Sequence, residues 1–172
     1  MRISLTSLKQ RRGASLIETV IAMGVLAVAV PLVFGALAES GKSGQTSEAE
    51  TRSTWMVPLC MQEIEASRAG KPRYFTATAV NAPFPPGGDV WALAFSAEGK
   101  AVGKMNKAAY DKGATNVDGK AIRYIASLSA APVVTPAGSA APPMSRVRIS
   151  LEYPSGAPAA KRQKLDFYTR IP

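Results

Sequence analysis

The sequence predicts an α+β protein, with a long N-terminal helix that is apolar enough to be transmembrane and a small antiparallel β-sheet domain after it. Two observations support this prediction. Residues 19–38 form a run of twenty residues without a charge. From residue 71 onward, apolar residues instead alternate with others at the period of a β-strand. With 172 residues, the chain has room for one folded domain and an N-terminal addressing segment.

The N-terminal segment has the charge distribution of an export or membrane-anchoring signal. Residues 1–13 contain no acid and four basic residues, Arg2, Lys9, Arg11 and Arg12. As a helix, the uncharged run would span roughly 30 Å, the thickness of the hydrocarbon core of a bilayer. Because positive charge precedes the run and is scarce just after it, we expect the N-terminus in the cytoplasm and the C-terminal domain outside.

Glu18 lies directly before the uncharged run, with apolar residues on both sides. An ionised carboxylate is costly in hydrocarbon unless something pairs with it, so we expect a partner or a function for this residue. A plain signal anchor has no use for it. A secretory signal cut after Ala38 would fit the small residues at 36 and 38, although such signals have an apolar region of about 7–15 residues and no acid. An exported or signal-anchored envelope binding protein is therefore the alternative interpretation.

Between the basic leader and the uncharged run, the chain reads Gly13-Ala14-Ser15-Leu16-Ile17-Glu18. This stretch resembles the class III signal of type IV pilins and type II secretion pseudopilins, which has glycine at the cut and glutamate as the fifth residue of the mature chain. The resemblance implies cleavage after Gly13 by a prepilin peptidase and N-methylation of Ala14. Alanine at position 14 departs from the phenylalanine that is commonest there in the family.

The resemblance also implies a pilin-like fold and assembly with other pilin-like subunits, with the chain inserted in the lipid of the inner membrane. Cleavage would place a positive amine on Ala14, one helical turn from Glu18. The amine of one subunit can then neutralise the carboxylate of its neighbour and fix the stagger of successive subunits. The side chains expected to form the membrane and filament core are Leu16, Ile17, Val20, Ile21, Val25, Leu26, Pro31, Leu32 and Phe34.

Four segments follow from these features: a leader (1–13), a transmembrane or filament-core helix (14–40), a flexible joint with an amphipathic helix (41–70) and an extracytoplasmic antiparallel β domain (71–172). Glycines at 41 and 44 are expected to loosen the joint. Ser47 has capping-box spacing to Glu50 and predicts a helix start there. Pro58 is expected to bend this helix or to mark the start of its packed part. One face of this helix is partly apolar and includes Met56, Leu59, Cys60, Glu63, Ile64 and Ser67.

Alternation predicts the strands of the β domain. Trp91, Leu93 and Phe95 precede a turn at 96–100 and a second short strand, which indicates a hairpin. Residues 122–129 are a further strand candidate. Two terminal strands are expected to bury one face and to expose the other. Their buried sets are Val147, Ile149, Leu151 and Tyr153 in the first, and Leu165, Phe167 and Ile171 in the second.

A second resemblance concerns the order of a capped helix, the hairpin stretch Phe95–Gly103 and a basic terminal strand. This order is similar to that of Verru_Chthon cassette proteins of type B, which are themselves prepilin-like. Minor I-type pseudopilins are the neighbouring possibility.

Composition argues against other classes of function. The formal net charge is +9, but without the leader 17 basic residues face 12 acidic ones, a balance of +5. They are dispersed except at 161–164 and no aromatic series accompanies them, so nucleic acid is an unlikely partner.

Catalytic and metal chemistry are not expected either. Cys60 is the single cysteine and histidine is absent, so we expect no disulfide, metal site or cofactor. The chain is not expected to be an enzyme, because no spacing groups the acids of the β domain into a catalytic pair. These acids, all expected to be exposed, include Asp89, Glu98, Asp111, Asp118 and Glu152.

Overall fold

A computed structural model of the chain describes residues 15–79, 82–85, 89–132 and 144–171. The chain divides between Gln45 and Thr46 into two compact units. The helices are α1 (Leu16–Arg68) and α2 (Lys107–Lys112), with a 3-10 turn at Ala159–Lys161. The strands are β1 (Trp91–Phe95), β2 (Ala101–Met105), β3 (Asn116–Val117), β4 (Lys120–Ala121), β5 (Tyr124–Pro132), β6 (Ser145–Tyr153) and β7 (Gln163–Ile171). A long apolar helix followed by a small antiparallel sheet confirms the predicted α+β layout.

Helix α1 is continuous over 53 residues. Ser15 precedes it, and the Ser15 hydroxyl accepts a hydrogen bond from the backbone N–H of Glu18 at 3.3 Å, as an N-cap does. The predicted helix start at Ser47 is wrong, because Ser47 lies in the interior of α1, whose turns continue through it. Residues 41–47, predicted as a flexible joint, have helical conformation and lie where the two units meet.

Five strands form one sheet in the order β2-β1-β5-β6-β7, and all neighbours are antiparallel. The predicted hairpin is confirmed: β1 and β2 are joined by a turn in which Gly99 has φ +80°. The strand predicted at 122–129 is also present, but β5 begins at Tyr124 and runs to Pro132. Strand β7 lies at one edge of the sheet.

The main core lies between the second half of α1 and one face of the sheet. The helix contributes Ala49, Met56, Cys60 and Ile64, all fully buried, at the spacing of one helical face. The predicted apolar stripe is thus confirmed except at Leu59, which is 38% exposed. Trp91 is stacked between two rings, with ring centroids 4.7 Å from Phe75 and 5.0 Å from Phe84.

The opposite face of the sheet is partly covered, which the alternation did not predict. Strand β1 is buried on both faces. A second core cluster, packed against residues of α2, consists of Ala92, Ala94, Met105, Ile122 and Ile125. The prediction that β6 exposes this face to water is therefore wrong at Ser150 and Glu152, which are 4% and 1% exposed.

Candidate functional site

The N-terminal half of α1 contains the residues predicted for the membrane and filament core. All of them have exposed side chains, on every side of the helix; Leu16 is 84% exposed and Phe34 67%. In the most apolar window of eighteen residues no side chain is buried. The predicted processing residues Gly13 and Ala14 lie outside the residues that the structure describes.

These exposed side chains require an apolar environment. Leaving one Leu, Ile or Phe in water rather than burying it costs about 1.5–3 kcal/mol, and thirteen large apolar residues between Leu16 and Leu37 are exposed. A helix of this length and composition can cross a membrane. An uncleaved secretory signal has the same properties, so the helix by itself indicates an apolar partner and not which one.

Glu18 lies in the first turn of α1 and its side chain is exposed. Its backbone N–H is held by Ser15, through both the hydroxyl and the carbonyl, at 3.3 and 2.9 Å. A negative charge here is favoured by the positive end of the helix dipole. Within the described part of the chain, no cation contacts the Glu18 carboxylate. The carboxylate thus lies exposed at the start of the helix.

A second polar site, which we call the Glu152 cluster, lies on the sheet face away from α1. Its central carboxylate has four partners. Oε1 accepts hydrogen bonds from the Tyr110 hydroxyl at 2.6 Å and the Ser127 hydroxyl at 3.4 Å, and lies 3.2 Å from Lys164 Nζ. Oε2 lies 3.0 Å from an Arg162 guanidinium nitrogen, and both side chains of that ion pair are fully buried.

Arg162 connects the 3-10 turn and α2 to the sheet. Besides its ion pair with Glu152, it donates to the carbonyl of Ala157 at 2.8 Å and to the carbonyl of Tyr110. Its guanidinium lies 4.9 Å from the centre of the Tyr110 ring. Burial, together with the hydrogen bond to Glu152, raises the pKa of Tyr110 to about 12. A charged pair so fully satisfied fixes how surrounding segments pack.

A cavity of about 150 Å³ adjoins the Glu152 cluster. It is lined by Tyr110, Ser127, Ser129, Arg148, Ser150, Glu152 and Lys164. The acids that sequence reasoning had considered for catalysis do not converge here: Asp111 pairs with Lys107 at 2.8 Å, and Glu98 accepts the Ser96 hydroxyl. Within the described residues, no group of three histidine, cysteine or acidic side chains could hold a metal ion.

Sequence reasoning missed this cluster for a physical reason. Strand alternation places Glu152 on the outer face, and nothing near it in sequence shows that α2 covers that face. Arg162 was seen as part of the basic group at 161–164, whereas its side chain is fully buried. The nearest available signal was the ten-residue separation of Glu152 and Arg162 across the β6–β7 connection.

Comparison with known proteins finds no matching family model, curated protein or solved structure.

Proposed function

We propose that this chain is a pilin-like or pseudopilin subunit, cleaved after Gly13 and assembled through the N-terminal half of α1 into a filament. The observation that supports this most is the combination of an apolar helix whose described side chains are exposed and a carboxylate in its first turn. The exposed apolar side chains require contact with lipid or with other subunits. The carboxylate requires a cation inside that apolar environment, and the new amine of Ala14 on a neighbouring subunit supplies one.

In this proposal the leader, the helix and the β domain each have a defined location. The helix is held in the inner membrane until assembly, with the leader in the cytoplasm and the β domain outside. Prepilin peptidase and other pilin-like subunits are its partners. The unit that begins at Thr46 has its own hydrophobic core, so it can remain folded during transfer of the helix from lipid into a filament. We expect no catalysis by this chain itself.

Intact-mass measurement on the full chain tests the processing step. Expressed with a prepilin peptidase, the chain should begin at Ala14, with or without one added methyl group. Expressed without the peptidase it should keep its leader. Replacement of Gly13 by a bulky residue should also leave the leader in place, and normal processing of such a variant would contradict the proposal.

The role of Glu18 is tested by Glu18→Gln. Glutamine keeps the size of the side chain and its place at the helix cap but removes the charge, so membrane insertion should be unchanged or improved while filament incorporation falls. Thr19→Val is the matched control. The Thr19 hydroxyl only donates to backbone carbonyls of the same turn, so this change should leave incorporation intact. Equal incorporation of Glu18→Gln and the parent chain would refute the charge pairing.

A second candidate function is that of an exported envelope binding protein released after Ala38. The separate core of the unit from Thr46 onward favours it to the extent that such a cut leaves this core whole. The same intact-mass measurement decides between the two, because the released protein begins at Glu39. Absence of any cleavage would favour a signal-anchored protein.

A further inference from the structure

We propose that the outer edge of β7 binds an extended acidic segment of a partner protein, which adds a sixth strand to the sheet and places a carboxylate beside Arg146 and Arg170. This proposal does not rest on the membrane assembly proposed above. The two arginines lie on the face of the sheet away from α1.

Among the described residues, strand β7 pairs along one edge only, with β6. It is nine residues long and lies at the end of the sheet order. Its outward backbone N–H and C=O groups are therefore available to pair with an added strand, the mode by which exposed sheet edges bind extended peptides.

Arg146 on β6 and Arg170 on β7 have no acidic partner among the residues that the structure describes. Arg146 and Arg170 are directly opposite each other in the β6–β7 register and both are exposed. Like charges at directly opposite positions destabilise a strand pair. Among the described residues, no acid forms an ion pair with either one, and the β5–β6 connection at 133–143 contains no charged residue in the sequence.

The neighbouring charged side chains on this face already form ion pairs with each other. Asp166 forms two hydrogen bonds with Arg148, at 3.3 and 2.9 Å, and Lys164 contacts Glu152. This leaves a surplus of positive charge at the end of β7 that bears Arg170. An acid from outside would neutralise it.

A cleft accompanies the two arginines. It has a volume of about 330 Å³ and is lined by Arg146, Tyr168, Thr169 and Arg170. Tyr168 is 63% exposed, and exposed tyrosine beside arginine is the composition that protein interfaces favour. An added antiparallel strand would put one side chain over the Tyr168 ring and an acidic one opposite Arg170.

Charge also favours an acidic partner over a second copy of this chain. Residues 46–172 contain sixteen basic and ten acidic residues, a net charge of +6. Two such units repel each other, whereas an acidic segment is attracted and steered to the surface.

The test uses the full chain in neutral detergent and a labelled nine-residue peptide with blocked ends, Thr-Glu-Thr-Tyr-Thr-Gln-Thr-Glu-Thr. In antiparallel pairing with β7, its first glutamate lies opposite Arg170 and its tyrosine opposite Tyr168. Fluorescence anisotropy should show binding that is about tenfold tighter than that of the same peptide with lysine in place of both glutamates.

Variants of the chain locate the site. Arg170→Glu and Arg146→Glu should each weaken binding of the acidic peptide, and Arg170→Glu should gain affinity for the lysine peptide. Lys120→Glu makes the same charge change at an exposed position on β4 and should alter binding little.

Backbone methylation tests the strand pairing. Two peptides, N-methylated on alternate residues, keep all their charges, but each loses the backbone N–H donors along one of its own two edges. Only the peptide whose methylated edge faces β7 should lose affinity.

Equal binding of both methylated peptides, or full competition by inorganic phosphate alone, would show a general anion site and overturn the proposal. A concentration-dependent dimer abolished by Arg170→Glu would assign the edge to a second copy and overturn it as well. Equal binding of the acidic and lysine peptides would show that Arg146 and Arg170 do not select an acidic segment, and it would overturn the proposal.

Discussion

Replacement of Arg162 by methionine should destabilise the unit from Thr46 onward more than replacement of Lys164, the other basic residue of the Glu152 cluster. Methionine keeps much of the side-chain volume but removes the ion pair, in which both side chains are fully buried, and the hydrogen bonds to Ala157 and Tyr110. Breaking a buried pair costs about 3–5 kcal/mol, since the remaining charge is left without compensation. Lys164 and the Tyr110 hydroxyl still contact the carboxylate, so we expect a value near the lower limit.

The assay is urea unfolding of the full chain in neutral detergent, followed by tryptophan fluorescence, because Trp91 is 1% exposed in the folded protein. Lys164→Met is the matched control. The Lys164 side chain is 42% exposed, and a pair with an exposed partner contributes about 0–1 kcal/mol. The double variant Glu152→Gln with Arg162→Met removes both charges and should be more stable than Arg162→Met alone.

Two results would refute this reasoning. The first is an unfolding free energy of Arg162→Met within about 1 kcal/mol of the parent chain, below the cost of an uncompensated buried charge. The second is a double variant as unstable as the single one, which would place the loss in packing and not in the unpaired Glu152.

Three further predictions concern other positions. Burial, and next the charge of Glu63, raises the pKa of Cys60 to about 12, so its thiol should not react with a maleimide at pH 8 until the chain unfolds; rapid labelling of the native chain would contradict this. The folded pKa of Tyr110, about 12, lies above its ordinary value of 10.0, so its contribution to stability should be full below pH 10 and be lost as the pH rises through 12. Phenolate absorbance and unfolding measured together should show both changes; titration of this phenol near 10 would argue against its burial. Gly113 and Gly119 both have positive φ, but an added Cβ would lie 2.6 Å from two backbone carbonyl oxygens at Gly113 and would meet nothing within 4 Å at Gly119. Gly113→Ala should therefore lower the unfolding free energy by about 1–3 kcal/mol more than Gly119→Ala. Equal losses in the two variants would exclude the clash.

Local patterns were sufficient for much of the fold. The uncharged run at 19–38 and the strand alternation both predicted their elements, because hydrogen-bond periodicity and side-chain direction are set within a few residues. The turn at 96–100 was predictable for the same reason. The helix start at Ser47 was wrong, since a capping pattern states only that a helix can begin there and the preceding turns already satisfied its backbone.

Tertiary structure alone decided the burial of Glu152. Its partners Arg162 and Tyr110 lie ten and forty-two residues away in the chain, and whether a strand face is wet depends on which segment folds over it. The open edge of β7 and the facing pair Arg146 and Arg170 likewise follow from strand order and register. The sequence by itself determined the apolar helix and the carboxylate at its start, because hydropathy and charge belong to single residues, whereas desolvation and ion pairing belong to contacts between distant ones.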